Sequence, residues 1–175
     1  YVALKLFIDN PRWKGVPFYL QAGKRLPKRT TDIAVIFKKS SYDLFNSENC
    51  PLCPLENDLL IIRIQPDEGV ALQFNCKVPG TNKLVRPVKM DFRYDSYFNT
   101  VTPEAYERLL CDCILGDRTL FTSNEEVLAS WELFSPLLEQ WSKIRPIFPN
   151  YIAGSLRPQG ADELLSRDGR AWRSY

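Results

Sequence analysis

Residues 59–76 read LLIIRIQPDEGVALQFNC. The first part, residues 59–64, is an apolar run of strand length, and residues 70–76 form a second strand-like segment. Between them, residues 66–69 (PDEG) have the composition of a hairpin turn. Because strands joined by so short a connection pair antiparallel, this stretch predicts a β-hairpin.

Further strand-like segments surround this hairpin within the first 100 residues: 2–8, 16–22, 32–37 and 88–94. The connections are short and no long helical pattern lies between them, so the sheet should be mainly antiparallel. Residues 40–57, which include Pro51 and Pro54, are predicted to form a long irregular excursion.

Beyond residue 100 the periodicity becomes helical. Thr102 and Pro103 are suited to the cap and first position of a helix that Gly116 ends. Ser123 and Glu126 have the spacing of a capping box, which predicts a second helix.

Along this second helix the apolar stripe is expected to lie in a hydrophobic core rather than around a cofactor; it consists of Val127, Trp131, Phe134 and Leu138. Pro136 should kink the helix or end its first part. Residues 161–165 predict a short third helix that ends near Gly169. Strands followed by helices indicate an α+β fold, a large, mainly antiparallel sheet with helices packed on one face.

Composition excludes several classes of function. The chain has 23 basic and 21 acidic residues, so it has no global attraction for nucleic acid. Histidine is absent, which excludes Ser-His-Asp and Cys-His catalysis within these residues. No apolar run has the length of a membrane span, so we expect no membrane partner. The five cysteines do not resemble a secreted disulfide framework, which favours the cytoplasm.

A basic turn, residues 23–29 (GKRLPKR), carries four cations directly after a strand-like segment. Lysine supplies a point charge and arginine a planar fork of donors, and both suit the oxygens of a small polyanion such as a sugar phosphate. The alternative is a solvated basic turn without a ligand, as most runs of charge are. The pattern alone leaves both interpretations open.

Two other groups are candidates for function. Gln65 ends the strand at 59–64 and lies on the same sheet face as Arg63, where its amide could reach a sugar; the alternative is a wet sheet face. Cys50 and Cys53 have the spacing of half a zinc site or of a redox motif, but no second pair completes it. We therefore predict no metal site.

Several motifs together resemble the C-terminal domain of glucose-6-phosphate dehydrogenase, over nearly the whole of residues 1–175 and in the family's order. These are FIDNPRW (7–13), GVPFYL (15–20), GKRL (23–26), RIQPDEG (63–69), AYERLL (105–110), GD (116–117), LF (120–121), AGS (153–155), ADELL (161–165) and RDGR (167–170). Residues 40–57 carry least of the resemblance.

The resemblance implies an enzyme that oxidises D-glucose 6-phosphate to 6-phospho-D-glucono-1,5-lactone with NADP⁺, the first step of the oxidative pentose phosphate pathway. It implies that NADP⁺ and the catalytic histidine belong to an N-terminal Rossmann domain, so no catalytic residue is expected here. The chain opens at Tyr1 inside a strand-like segment. We therefore expect a fragment that lacks that domain and is inactive alone.

By position, the resemblance assigns substrate contacts to Lys24, Arg29 and Gln65, with Arg25 and Lys28 as electrostatic surroundings. It also implies a homodimer formed through the sheet. Some family members bind a second, structural NADP⁺ in this domain through cationic residues. The matching positions here are Gln21, Thr30, Ala34 and Leu156. None is cationic, so no structural NADP⁺ is expected.

Two hypotheses of other classes remain. The chain could be a noncatalytic self-association module whose substrate residues serve no purpose, which solution mass and activity would separate from the enzyme. Binding of single-stranded nucleic acid by a basic sheet is disfavoured by the near-neutral charge.

Overall fold

The computed structural model describes residues 1–39, 56–80, 84–99, 105–144 and 147–173. The elements in these ranges are β1 (Val2–Phe7), β2 (Pro17–Ala22), β3 (Thr31–Ile36), β4 (Leu59–Gln65), β5 (Gly69–Lys77), β6 (Val85–Arg93), α1 (Tyr94–Phe98), α2 (Ala105–Leu115), α3 (Asn124–Lys143) and α4 (Gln159–Ser166). The chain divides into two compact units. The first unit is Tyr1–Lys28 with Thr119–Tyr175, and the second unit is Arg29–Arg118.

The second unit contains a four-stranded sheet in the order β3-β4-β5-β6, and every neighbouring pair is antiparallel. Leu60 on β4 lies opposite Val35 on β3 and Leu72 on β5. Ala71 and Ile61 are buried, with 1% and 9% of their surfaces exposed. The predicted α+β fold with antiparallel pairing is confirmed, although the described strands form two sheets rather than one.

The predicted hairpin joins β4 to β5. β4 runs to Gln65 and β5 begins at Gly69, which lies opposite Arg93 on β6. A Cβ atom at Gly69 would lie 2.3 Å from the carbonyl oxygen of Phe92. Glycine is therefore required at this position because the neighbouring backbone approaches too closely for any side chain.

In the first unit, β1 and β2 form an antiparallel pair, and α4 contacts β1. Ala161 and Leu165 are the buried residues of α4, each with 3% of its surface exposed. The indole N–H of Trp172 donates to the carbonyl oxygen of Ala161 at 2.8 Å. The segment that follows α4 is thereby held against the helix.

The helix ends agree with their sequence signals wherever these are described. At the start of α3, the Glu126 amide donates to the Ser123 hydroxyl at 3.2 Å, and the Ser123 amide donates to the Glu126 carboxylate at 2.8 Å. This is the predicted capping box. α2 ends directly before Gly116, which has a φ of 74°. Thr102 and Pro103 lie outside the described residues.

One prediction about α3 is corrected by the structure, and one alternative of another is excluded. The helix continues through Pro136 to Lys143, so of the two outcomes predicted for this proline, a kink or an end, the end does not occur. The apolar stripe is not core: Val127, Trp131 and Leu138 have 42%, 59% and 48% of their surfaces exposed, and Phe134 is half-buried. Periodicity located the apolar face correctly, but no described part of the chain buries it.

A short helix that the sequence did not indicate follows β6. The predicted strand at 88–94 ends at Arg93, and Tyr94 begins α1. The Asp95 carboxylate accepts the amide of Ser96 at 2.6 Å, a local bond that competes with strand pairing. Tyr94 and Phe98 stack one turn apart with ring centroids 5.8 Å apart. Their aromatic character, which favours strands in isolation, here supports a helical turn.

Of the predicted excursion at 40–57, residues 40–55 lie outside the described ranges. Where the chain is described, none of its helices combines the length and the apolar character that crossing a membrane requires.

Candidate functional site

The basic turn lies between β2 and β3, and its four cations are all solvent-exposed. Lys24 belongs to the first unit, whereas Arg29 is the first residue of the second unit. Gln65, the third predicted site residue, also belongs to the second unit, at the end of β4. The predicted residues are thus shared between the two units.

The backbone at Lys24 is held by a distant loop of the same unit. The hydroxyl of Tyr151 donates to the carbonyl oxygen of Lys24 at 2.8 Å, and the amide of Gly154 donates to the carbonyl oxygen of Arg25 at 2.8 Å. Arg25 has a φ of 52°, a left-handed conformation that non-glycine residues rarely adopt. Hydrogen bonds to two consecutive carbonyls therefore hold a turn that is locally unfavourable.

Packing also fixes the start of the turn. A Cβ atom at Gly23 would lie 2.7 Å from Tyr1 Cδ2 and 3.1 Å from a methyl of Leu26. A side chain at Gly23 would displace one of these two neighbours. The absence of a side chain at Gly23 therefore allows Tyr1 and Leu26 to pack closely against the start of the turn.

The charged ends of Lys24 and Arg29 make no hydrogen bond or ion pair with any residue that the structure describes. An ammonium and a guanidinium group that are exposed and not neutralised by neighbours can both donate to phosphate oxygens. These two groups can therefore bind a small anion. Cations that were already paired with carboxylates of the protein would not suit that role.

Gln65 is held at the end of β4 by the residues that follow Arg29. Its side-chain Nε2 donates to the Thr31 hydroxyl at 3.1 Å, and its carbonyl oxygen accepts the Thr30 hydroxyl at 3.4 Å. The register with β3 shifts between Thr31 and Asp32, which places a β-bulge at this end of the pair. The structure therefore brings the backbone after Arg29 to Gln65, whose amide oxygen accepts no bond from the described residues.

Arg63, two residues before Gln65, is committed to a structural network. Its guanidinium pairs with the carboxylate of Asp91 and donates to the Phe92 carbonyl at 3.1 Å. Lys89 pairs with the same carboxylate at 2.8 Å. The hydrogen bonds from Arg63 and then Lys89 lower the pKa of Asp91 far below its usual value. Arg63 is therefore not free to bind a ligand.

A second network in the first unit joins the RDGR segment to the β1–β2 hairpin. Lys5 and Tyr19 lie directly opposite each other, and both contact the carboxylate of Asp168, Lys5 at 2.7 Å. The bond from Lys5, followed by that from Tyr19, lowers the pKa of Asp168. Partial burial, followed by the bond to Asp168, raises the pKa of Tyr19. Both groups therefore keep their ordinary charge near neutral pH.

Sequence reasoning missed Tyr151, whose contact with Lys24 spans 127 residues of chain. The available signal was position, since Tyr151 lies two residues before the AGS motif at 153–155. No spacing rule connects that motif to the basic turn.

The described residues contain no candidate metal site. No group of three or more His, Cys, Asp or Glu side chains in these ranges could hold an ion. Cys50 and Cys53 lie outside them. Cys76, Cys111 and Cys113 are exposed free thiols.

The positions considered for a structural coenzyme are uncharged, and two of them have partners within the protein. The Gln21 amide oxygen accepts the Tyr1 hydroxyl at 2.7 Å, and Thr30 donates to Gln65. Leu156 is half exposed. A dinucleotide phosphate would find no charge-assisted partner at these positions.

Comparison with known proteins gives a consistent result. The family model described as "Glucose-6-phosphate dehydrogenase, C-terminal domain" matches residues 1–173. Glucose-6-phosphate 1-dehydrogenase of Chlamydia trachomatis serovar D is 95% identical over 175 residues, which cover 100% of this chain and 40% of that protein. The enzyme of the same name from Chlamydia pneumoniae is 73% identical, with 99% of this chain and 34% of that protein covered.

Solved structures agree with the sequence comparison. A glucose-6-phosphate dehydrogenase in complex with its substrate glucose-6-phosphate superposes with a TM-score of 0.82 at 34% identity, covering 98% of this chain and 34% of that one. Glucose-6-phosphate 1-dehydrogenase from Mycobacterium avium gives a TM-score of 0.78 at 32% identity, with coverages of 99% and 35%. The chain thus spans between a third and two fifths of the length of these proteins.

Proposed function

The chain belongs to the family of glucose-6-phosphate dehydrogenase C-terminal domains, and on that premise we propose that it supplies part of the substrate site and the dimer interface of an NADP⁺-dependent glucose-6-phosphate dehydrogenase. The reaction is the oxidation of D-glucose 6-phosphate at C1 to 6-phospho-D-glucono-1,5-lactone, the entry step of the oxidative pentose phosphate pathway. The observation that carries the proposal is the 95% identity with the Chlamydia trachomatis dehydrogenase across all 175 residues.

Within the site, three residues are proposed to contact the sugar phosphate. The Lys24 ammonium and the Arg29 guanidinium, both exposed, neutralise the phosphate dianion. The Gln65 amide, already oriented by its bond to Thr31, accepts or donates a hydrogen bond to sugar hydroxyls. Since the phosphate keeps its charge while C1 is oxidised, these contacts stabilise substrate and transition state alike and act mainly on KM.

The described residues do not fit the coenzyme. Both described sheets are wholly antiparallel, whereas dinucleotide binding uses parallel strands with a glycine-rich turn before a helix. We therefore propose that NADP⁺ and the catalytic base are held by the part of the longer relatives that this chain does not span. What remains for this chain is to bind and orient the sugar phosphate.

A homodimer formed through the four-stranded sheet is the second part of the proposal. One face of that sheet, the apolar face, carries aliphatic, methionine and phenylalanine side chains on all four strands: Ile33, Val35, Leu60, Ile62, Val70, Leu72, Phe74, Val88, Met90 and Phe92. At one end of β5 and β6, the paired residues Cys76 and Arg86 lie on the same face. None of these residues is buried, and Met90 and Ile33 have 62% and 52% of their surfaces exposed. A continuous apolar surface across four strands suits a second copy of the same face.

We also propose that the enzyme works in the cytoplasm. Three of its cysteines, at positions 76, 111 and 113, are exposed thiols without a disulfide, a state that a reducing compartment preserves.

An assay of NADP⁺ reduction by the whole enzyme tests the proposed reaction. We expect NADP⁺ reduction that depends on glucose 6-phosphate, and no activity from residues 1–175 alone, because the coenzyme site and base lie outside them. Unphosphorylated glucose serves as the control for phosphate recognition. Reduction of NADP⁺ by residues 1–175 alone would contradict this division of labour.

The competing function, a noncatalytic self-association module, has one observation in its favour, the exposed apolar face. The same assay separates the two. A whole protein that associates but does not oxidise glucose 6-phosphate would establish the module instead.

A further inference from the structure

We propose that Tyr151 is a positioning residue for substrate binding, whose hydroxyl fixes the backbone from which the Lys24 ammonium reaches the sugar phosphate. The inference rests on the proposed function, since it assumes that Lys24 binds the phosphate. It adds a residue from a distant loop, 127 positions away in sequence, to the determinants of that site.

The need for such a residue comes from the turn itself. Lysine carries a flexible four-carbon side chain, so the position of its ammonium depends first on where its backbone is held. The next residue, Arg25, has a φ of 52°, which costs free energy for a residue with a Cβ atom. Without outside support the turn would relax to another conformation and carry Lys24 with it.

Two bonds supply that support, and they are not equivalent. Gly154 donates through its backbone, whereas Tyr151 donates through its side chain. Only the Tyr151 bond can be removed by a substitution that leaves the main chain intact. It is also the bond made to Lys24 itself, at 2.8 Å.

Tyr151 is in turn held in place by neighbours of its own. Its ring packs edge-on against Tyr1 with centroids 5.8 Å apart, and the Tyr1 hydroxyl donates to Gln21 on β2 at 2.7 Å. β2 leads directly into the basic turn. The strand and the turn are therefore joined twice, once through residues 22–24 and once through the two tyrosines. This arrangement pre-organises Lys24 before the substrate arrives.

The decisive experiment is a double-mutant cycle in the whole enzyme with Tyr151→Phe and Lys24→Ala, measured as KM and kcat for glucose 6-phosphate. Tyr151→Phe keeps the ring and removes one hydrogen bond, so we expect KM to rise about three- to tenfold. kcat should change by less than about twofold. A purely structural loss of folded enzyme would lower the maximal rate and leave KM unchanged.

Tyr97→Phe is the matched control. It removes the same atom from a tyrosine that is 71% exposed and whose ring contacts are with Phe92 and Phe98. Its KM should equal that of the unmodified enzyme within about twofold.

The proposal predicts that Tyr151→Phe has no further effect on KM once Lys24 is alanine, because the hydroxyl acts through that lysine. An unchanged KM in Lys24→Ala would remove the lysine from the site, and the inference would fall with it. If Lys24→Ala does raise KM, two results would overturn the role of Tyr151 alone. One is an unchanged KM in Tyr151→Phe. The other is a Tyr151→Phe variant that raises KM by the same factor with and without Lys24.

Discussion

At the basic turn, neighbouring residues of similar charge have different surroundings. Lys24 has its backbone held by a loop from the same unit, whereas Lys28 has no such bond in the described structure. Arg25 adopts a left-handed backbone conformation, with a φ of 52°. Position in the turn, rather than charge, therefore distinguishes a candidate ligand-binding residue from its surroundings.

A substitution at Asp91 tests the ion-pair network that occupies the Arg63 guanidinium and so keeps it from binding a ligand. Asp91→Asn should lower the free energy of unfolding by about 2 kcal/mol, because the poorly exposed Arg63 guanidinium loses its charged partner. Denaturant unfolding measures the loss. Asp67→Asn, an exposed turn carboxylate, should change stability by less than about 0.5 kcal/mol.

The pH dependence of this loss has a defined sign. The folded pKa of Asp91 lies below its usual value of 3.8, so its contribution is fully present above that pH and is lost as pH falls below it. The difference between the unmodified protein and Asp91→Asn should be equal at pH 7 and pH 5 and smaller at pH 3. A difference that grows on acidification would show that Asp91 is not the stabilising carboxylate.

At the scale of elements, the sequence predicted what depends on local chemistry. The hairpin from β4 to β5, the capping box of α3 and the end of α2 at Gly116 all follow from short-range rules. The exposure of the apolar face of α3 could not be predicted, because periodicity identifies an apolar face without identifying what covers it. The contact from Tyr151 to Lys24 could not be predicted either, since long-range contacts leave no spacing signal.

The capping box of α3 gives a prediction at this scale. Ser123→Ala removes the side-chain acceptor for the Glu126 amide and should destabilise the protein by about 1 kcal/mol. Ser130→Ala is the matched control in the same helix, where the hydroxyl only donates back to the Glu126 carbonyl. Thermal unfolding followed by circular dichroism measures both. Equal losses from the two variants would contradict the capping role.

At the scale of the whole molecule, few apolar side chains are buried by the described residues: Ile61, Ala71, Val85, Ala161 and Leu165. Long apolar surfaces on the sheet and on α2 and α3 are exposed instead. The relatives are about two and a half to three times as long as this chain. Such a distribution suits a domain that completes its packing within a larger enzyme.

The apolar face makes a prediction about assembly. Ile33→Glu places a charge on that face and should shift the whole enzyme from dimer toward monomer at micromolar concentration. Ile36→Glu is the matched control, since Ile36 lies on the opposite face of β3 and is similarly exposed, 58% against 52%. Sedimentation equilibrium measures the mass. Dissociation by Ile36→Glu but not by Ile33→Glu would place the interface on the other face.

The central claim, that this domain forms part of the site for the sugar phosphate substrate, is tested most directly by the KM of the whole enzyme for glucose 6-phosphate in Lys24→Ala and Lys28→Ala. Both variants lose one lysine charge from the same turn. We predict a rise of about 10- to 100-fold for Lys24→Ala, the worth of one charge-assisted hydrogen bond, with a smaller change in kcat. Lys28→Ala should stay within about twofold. A KM in Lys24→Ala that stays within about twofold of the unmodified enzyme would contradict the claim.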